Sequence, residues 1–222
     1  MRITAIKLAR VIALFDTDEL TPRGEISLAK FIAAASKKFE FQKFPTAGEQ
    51  VEEKKGLVFL DGTWNDTPVM KLTIFNDGII LETNTSTSRS IQILKESLDW
   101  ARQDLGLHVE EEMLRRIRYV SQLSFFSEAP ILTHSQPLNS AAKTMAELMV
   151  SITGQPRKYE GTRIDLDFDH SANRDTIAPF TIQRLGVESF ESNRYFSQAP
   201  LPTEAHVALI EQFEADVLAL LR

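Results

Sequence analysis

VMKLTIFNDGIILETN, residues 69–84, allows very few folds. Two runs with alternating apolar and polar positions flank Asn76-Asp77-Gly78. Asp-Gly supplies the positive φ that a tight connection needs, so the segment predicts a β-hairpin. A hairpin alone is marginal in water. It needs further strands or a helix against its apolar face.

The neighbouring segments supply both. Residues 3–16 predict a strand, with a short helix as the rival reading because the alternation is imperfect. SLAKFIAAASKKF (27–39) places Leu28, Phe31, Ile32, Ala35 and Phe39 at helical spacing. FEFQKF (39–44) alternates and predicts a strand, as does GLVFLDGTW (56–64). After the hairpin, residues 85–107 predict a helix capped by Ser86 or Ser88 and stopped by Gly106.

The pattern then restarts. Residues 115–127 predict a strand, and 138–152 a helix capped by Asn139 or Ser140, with Met145, Leu148, Met149 and Ile152 inward and Gly154 at its end. Residues 158–170 predict a strand. Residues 179–197 predict one long strand with a bulge at Gly186, and Pro202-Thr203 opens a last helix. Each half, 1–111 and 112–222, thus reads strand, helix, several strands, helix. The class is α+β: two pseudo-repeated halves of one body, forming an antiparallel sheet with helices packed on one face. The element order resembles the duplicated saddle of TATA-binding-protein-like folds over most of the chain. That resemblance implies binding on the open sheet face. No motif of that family is matched, so it assigns no residue.

Charge bears on the partner. Residues 1–111 carry 14 basic and 17 acidic residues and residues 112–222 carry 11 and 14, so neither half is a basic domain. This disfavours a nucleic-acid partner. The chain has no cysteine, which removes disulfides, thiolate zinc sites and cysteine nucleophiles. Neither a signal-peptide core nor a run of about 20 apolar residues is evident. The expectation is a cytoplasmic protein of a prokaryote or phage, without membrane association.

RIDLDFDH (163–170) is the most arresting chemistry. On a strand, Asp165, Asp167 and Asp169 would stand in one row about 7 Å apart, too far for all three to bind one Mg²⁺. Ile164, Leu166 and Phe168 would face the helices. The row reads as a polar sheet face answered by cations such as Arg163, Arg174, Arg184 or Lys71. His108, His134, His170 and His206 lie on different elements, with His206 expected at a helix cap or the surface. Neither a G-x-S-x-G elbow, a phosphate loop nor a dinucleotide fingerprint is present, so no cofactor is expected.

One echo stands out. FFSEAPIL (125–132) and YFSQAPLP (195–202) both close a strand and lead toward a helix, and Phe126 and Phe196 could serve as apolar anchors. The sequence therefore predicts a non-catalytic binding protein whose open sheet face takes a partner protein or a small polar ligand. Asp165, Asp167, Phe126 and Phe196 are its candidate residues. A nucleic-acid sensor on the same face is the alternative, using the compact Arg115, Arg116 and Arg118 cluster, of which Arg116 and Arg118 share a strand face. A divalent-metal hydrolase using Asp165, Asp167, Asp169 and His170 is a third reading. An uncovered sheet edge could pair with a second copy.

Overall fold

The computed structural model describes residues 1–20, 27–46, 56–169, 171, 177–186 and 189–220. His170 and Arg174 lie outside the described residues. The elements run β1 (Arg2–Leu14), α1 (Leu28–Phe39), β2 (Leu57–Trp64), β3 (Thr67–Phe75), β4 (Gly78–Thr83), α2 (Thr87–Leu105), β5 (Ile117–Phe126), α3 (Gln136–Thr153), β6 (Arg163–Leu166), β7 (Phe180–Arg184), β8 (Arg194–Ala199) and α4 (Thr203–Leu220). The strands form one antiparallel sheet in the order β2-β3-β4-β1-β5-β8-β7-β6. The fold is α+β.

The chain divides into two compact units whose boundaries fall inside β1 and β5. One comprises Ile6–Ser121 with Leu201–Thr203. The other comprises Met1–Ala5, Gln122–Pro200 and Glu204–Arg222.

In the Ile6–Ser121 unit the hairpin forms as expected, with Ile74 opposite Ile79 and Leu72 opposite Leu81. Alternation puts Val11, Ala13, Phe59, Leu72 and Leu81 on a buried face, against Ile32, Ala35 and Phe39 of α1 and Ile93, Leu94 and Leu98 of α2. Ser27 and Ser86 cap the two helices, and Gly106 closes α2 in the left-handed conformation. Thr87 and Thr203 are buried and exchange hydroxyl–amide hydrogen bonds of 3.0 and 2.8 Å.

FEFQKF is not a strand. Phe39 ends α1, Glu40 caps it at φ 54°, and Lys43 makes only an isolated bridge to Leu60. The reason is aromatic packing: Phe39 stacks on Phe41 at 5.0 Å and meets Trp64 at 4.6 Å, which turns the chain inward. A Cβ at Gly62 would fall 2.4 Å from the Phe41 ring, so this close approach requires glycine.

In the Gln122–Pro200 unit, Phe125, Leu123, Tyr195 and Ile182 are buried with Ile131 and with Ile210 and Val217 of α4. Three expectations fail here. Residues 179–197 are two strands, β7 and β8, joined by a turn with a short 3-10 segment at Phe190–Ser192. The predicted strand over 158–170 shrinks to the four residues of β6. Helix α3 starts at Gln136 after Ser135 rather than at Asn139 or Ser140. It buries no residue, and Met145, Leu148 and Ile152 are exposed rather than inward. Asn139 instead donates its side-chain amide to Thr133 O at 2.7 Å.

Candidate functional site: the open face of strands β5 to β8

Strand parity builds the site. On β8, Tyr195, Ser197 and Ala199 are buried, so Arg194, Phe196 and Gln198 point the other way. Across the β5–β8 pair, Phe125 stacks on Tyr195 at 5.6 Å inside, Gln122 meets Gln198, and Ser127 N–H donates to Asn193 O. Gln122, Ser124 and Phe126 therefore share the outer face with Phe196 and Gln198. The echoed motifs meet in space. Their first aromatics, Phe125 and Tyr195, stack in the core, and their second aromatics, Phe126 and Phe196, lie on the open face.

Two cross-strand rows extend from this point. Gln122 Nε2 donates to Gln198 Oε1 at 2.7 Å, Gln198 stands opposite Thr181, and Thr181 donates its hydroxyl to Asp165 Oδ1 at 2.6 Å. In the next row Phe196 stands opposite Gln183, and Gln183 opposite Arg163. Arg163 Nε donates to Asp165 Oδ2 at 2.6 Å and so ties the rows together. The Arg163 guanidinium and the Thr181 hydroxyl hold the Asp165 carboxyl below the usual carboxylate range. The Ser124 hydroxyl is buried and, among the described residues, has no hydrogen-bond partner. At the end of the face the guanidinium carbons of Arg2 and Arg194 each lie 5.0 Å from the Phe126 ring centroid.

Asp165, Phe126 and Phe196 thus come together on one surface. Asp167 and Asp169 do not join them, because β6 ends at Leu166. Asp167 Oδ1 accepts from Phe168 N–H, and Asp169 Oδ1 from Ser171 N–H, both turn contacts. Leu166, expected to face the helices, is 60% exposed. Among the described residues, no three His, Asp or Glu side chains are grouped so as to hold a metal ion. Arg116 is exposed just before β5, and its carbonyl accepts from Leu14 N–H. Arg118 is half-buried on β5. Both belong to the Ile6–Ser121 unit.

His206 is fully buried rather than superficial, and its Nε2 lies 2.8 Å from Ser197 Oγ. The pair is not a nucleophilic dyad. Ser197 has no exposure and donates its own proton to Thr181 O at 2.7 Å, so it accepts from the imidazole. Burial pushes the His206 pKa down to about 4.

Gln122, Gln183, Gln198, Thr181, Arg2 and Arg194 were not foreseen as part of the surface. Counting by twos from Phe126 and Phe196 would have found three of them: Gln122 on β5, and Arg194 and Gln198 on β8. No protein-family model matches the chain, and no curated protein matches it in sequence. Among the described residues no helix is long and apolar enough to cross a membrane.

Proposed function

We propose that the protein is a non-catalytic binding module, and that the outer face of β5 to β8 takes a partner protein or a polar ligand. One observation carries this reading. A row of amide, hydroxyl and carboxylate groups runs across four strands beside Phe196: Gln122 is hydrogen-bonded to Gln198, Gln198 stands opposite Thr181, and Thr181 is hydrogen-bonded to Asp165. The buried Thr181 hydroxyl holds Asp165 in place, and the half-buried Gln122 and Gln198 with the exposed Asp165 present donors and acceptors in fixed positions next to an apolar anchor, which is the composition of a specific polar interface. The same element order in each half, with strand order 2-3-4-1 and 6-7-8-5, supports reading the chain as a duplicated, TATA-binding-protein-like arrangement.

The test is a comparison of two tagged proteins purified from the native host, the unaltered chain and a Phe196→Ala/Gln198→Ala variant. The expected result is one stoichiometric companion, identified by mass spectrometry, that the variant loses by tenfold or more. A companion retained equally by both would sink the assignment to this face.

A nucleic-acid partner is the second reading. Arg2, Arg163 and Arg194 share the face with Phe126 and Phe196, although the chain is net −6. Aromatic rings beside guanidinium groups suit stacked bases of a single strand. Its mark would be affinity falling steeply with salt and falling again on Arg163→Ala. Salt-independent binding would leave the first reading standing.

A further inference from the structure

An open cleft of about 950 Å³ lies between α3 and the segments around residues 156–160 and 190–193. Its volume is within the usual range for small-molecule sites. It shares no residue with the sheet face. Ala142 and Ala146 of α3 form one wall, and Tyr159 and Phe190 contribute rings.

The charges around it are unequal. Buried Arg184 donates to Glu160 Oε2 and to Phe190 O, both at 2.7 Å, and packs 5.0 Å from the Phe190 ring. Lys158 Nζ reaches Glu160 Oε1 at 2.8 Å and Glu191 Oε1 at 3.5 Å. Those two cations and two carboxylates neutralise one another. Lys143 and Arg157 also line the cleft, both are exposed, and among the described residues neither has a carboxylate partner. Glu147, one turn beyond Lys143 on α3, forms no ion pair with it among the described residues. The paired set also fixes the wall, because Arg184 pins Glu160 and Phe190 in place.

We propose that this cleft is a second binding site, for a small organic dianion of the phosphomonoester class. Two unpaired cations match the two charges of a phosphomonoester, and a guanidinium can chelate two of its oxygens. The alanine wall and the rings of Tyr159 and Phe190 take an apolar or aromatic body. The short side chains of Ala142 and Ala146 leave the room it needs.

The probe is phenyl phosphate, followed by amide chemical shifts of the ¹⁵N-labelled full chain. Saturable shifts are expected at Asn139, Lys143, Ala146, Arg157 and Tyr159. Inorganic phosphate should bind more weakly, and benzyl alcohol should not saturate. A Lys143→Ala/Arg157→Ala variant should lose tenfold or more in affinity while its far-ultraviolet circular dichroism is unchanged, since both side chains are exposed. The proposal is overturned if phenyl phosphate gives no saturable shift up to about 10 mM, or if the double variant binds as well. Inorganic phosphate binding as tightly as phenyl phosphate would remove the organic body from the assignment. Shifts confined to the β5–β8 face would move the ligand to the sheet and refute the cleft.

Discussion

Helices α3 and α4 are each eighteen residues long and both carry apolar side chains at helical spacing, yet they are held very differently. α4 buries Ile210 and Val217 to 0% and 2% exposure, whereas no residue of α3 is buried and Ile152 is 74% exposed. Apolar spacing announces a helix. It does not say which face finds the core. What separates the two is polar. α4 carries His206, bonded to Ser197, and Glu214, bonded to Ser127 and Glu128 just past β5, and both anchors are buried. α3 has a side-chain amide bond to Thr133 at its start and a cleft beneath Ala142 and Ala146. One helix is part of the scaffold. The other is a wall of a cavity.

The largest effect expected from this contrast is at Glu214. Ser127 donates its hydroxyl at 2.6 Å and Glu128 its N–H at 2.9 Å to Oε1, and the Met1 amino group lies 2.6 Å from Oε2. Burial pushes the carboxyl up, but the ammonium, the hydroxyl and the amide together outweigh it and hold the group below its ordinary range. Glu214→Ala strands three donors, one of them charged. The expected loss is about 3–5 kcal/mol in urea unfolding, the range for breaking a buried pair from one side. A loss below about 1 kcal/mol would mean that water replaces the carboxylate and that α4 is anchored by its apolar face alone.

His206 should come next, and pH isolates it. Burial depresses its pKa from 6.5 to about 4, so the folded chain holds it neutral. Below 6.5 the unfolded chain takes up a proton that the folded chain refuses until about pH 4. Stability is therefore full above pH 6.5 and falls as pH falls through that window, by about 3 kcal/mol in all. Unfolding free energies measured from pH 7.5 to 4 should show this slope, and His206→Gln should flatten it. An unchanged slope in the variant would assign the acid sensitivity to other groups.

The hairpin, helices α1, α2 and α4, and the antiparallel sheet were legible because each rests on local periodicity, a turn or a cap: Asp77-Gly78, the apolar spacing from Leu28 to Phe39, Ser86 and Gly106. FEFQKF misled because its alternating aromatics are equally suited to folding over Trp64 and Phe59. RIDLDFDH misled because alternation continues in sequence after the ladder to β7 has stopped at Leu166. The candidate site was half legible. Phe126 and Phe196 stood out through the echo, but Gln122, Thr181 and Gln198 are ordinary residues until strand pairing sets them in line. The burial of His206 depends on Ser197, nine residues earlier on another element, and no local pattern reports that.

The smallest effect is expected in α3, and it tests the contrast from the opposite side. Met145 and Ile152 are 49% and 74% exposed, so truncating them removes little buried surface and leaves no cavity. Met145→Ala and Ile152→Ala should each change unfolding stability by no more than about 0.5 kcal/mol, as ordinary surface substitutions do. Alanine has the higher helix propensity, which offsets part of even that. The measurement is sharper when repeated at several protein concentrations. A loss of about 2 kcal/mol that grows with concentration would mean that these side chains are covered by a second copy, because binding to the folded state adds stability by mass action. A concentration-independent loss of that size would mean that α3 packs its apolar side chains against its own unit. A negligible change at every concentration leaves α3 as a solvated wall of the cleft, with Ala142 and Ala146 as its contribution to whatever the cleft holds.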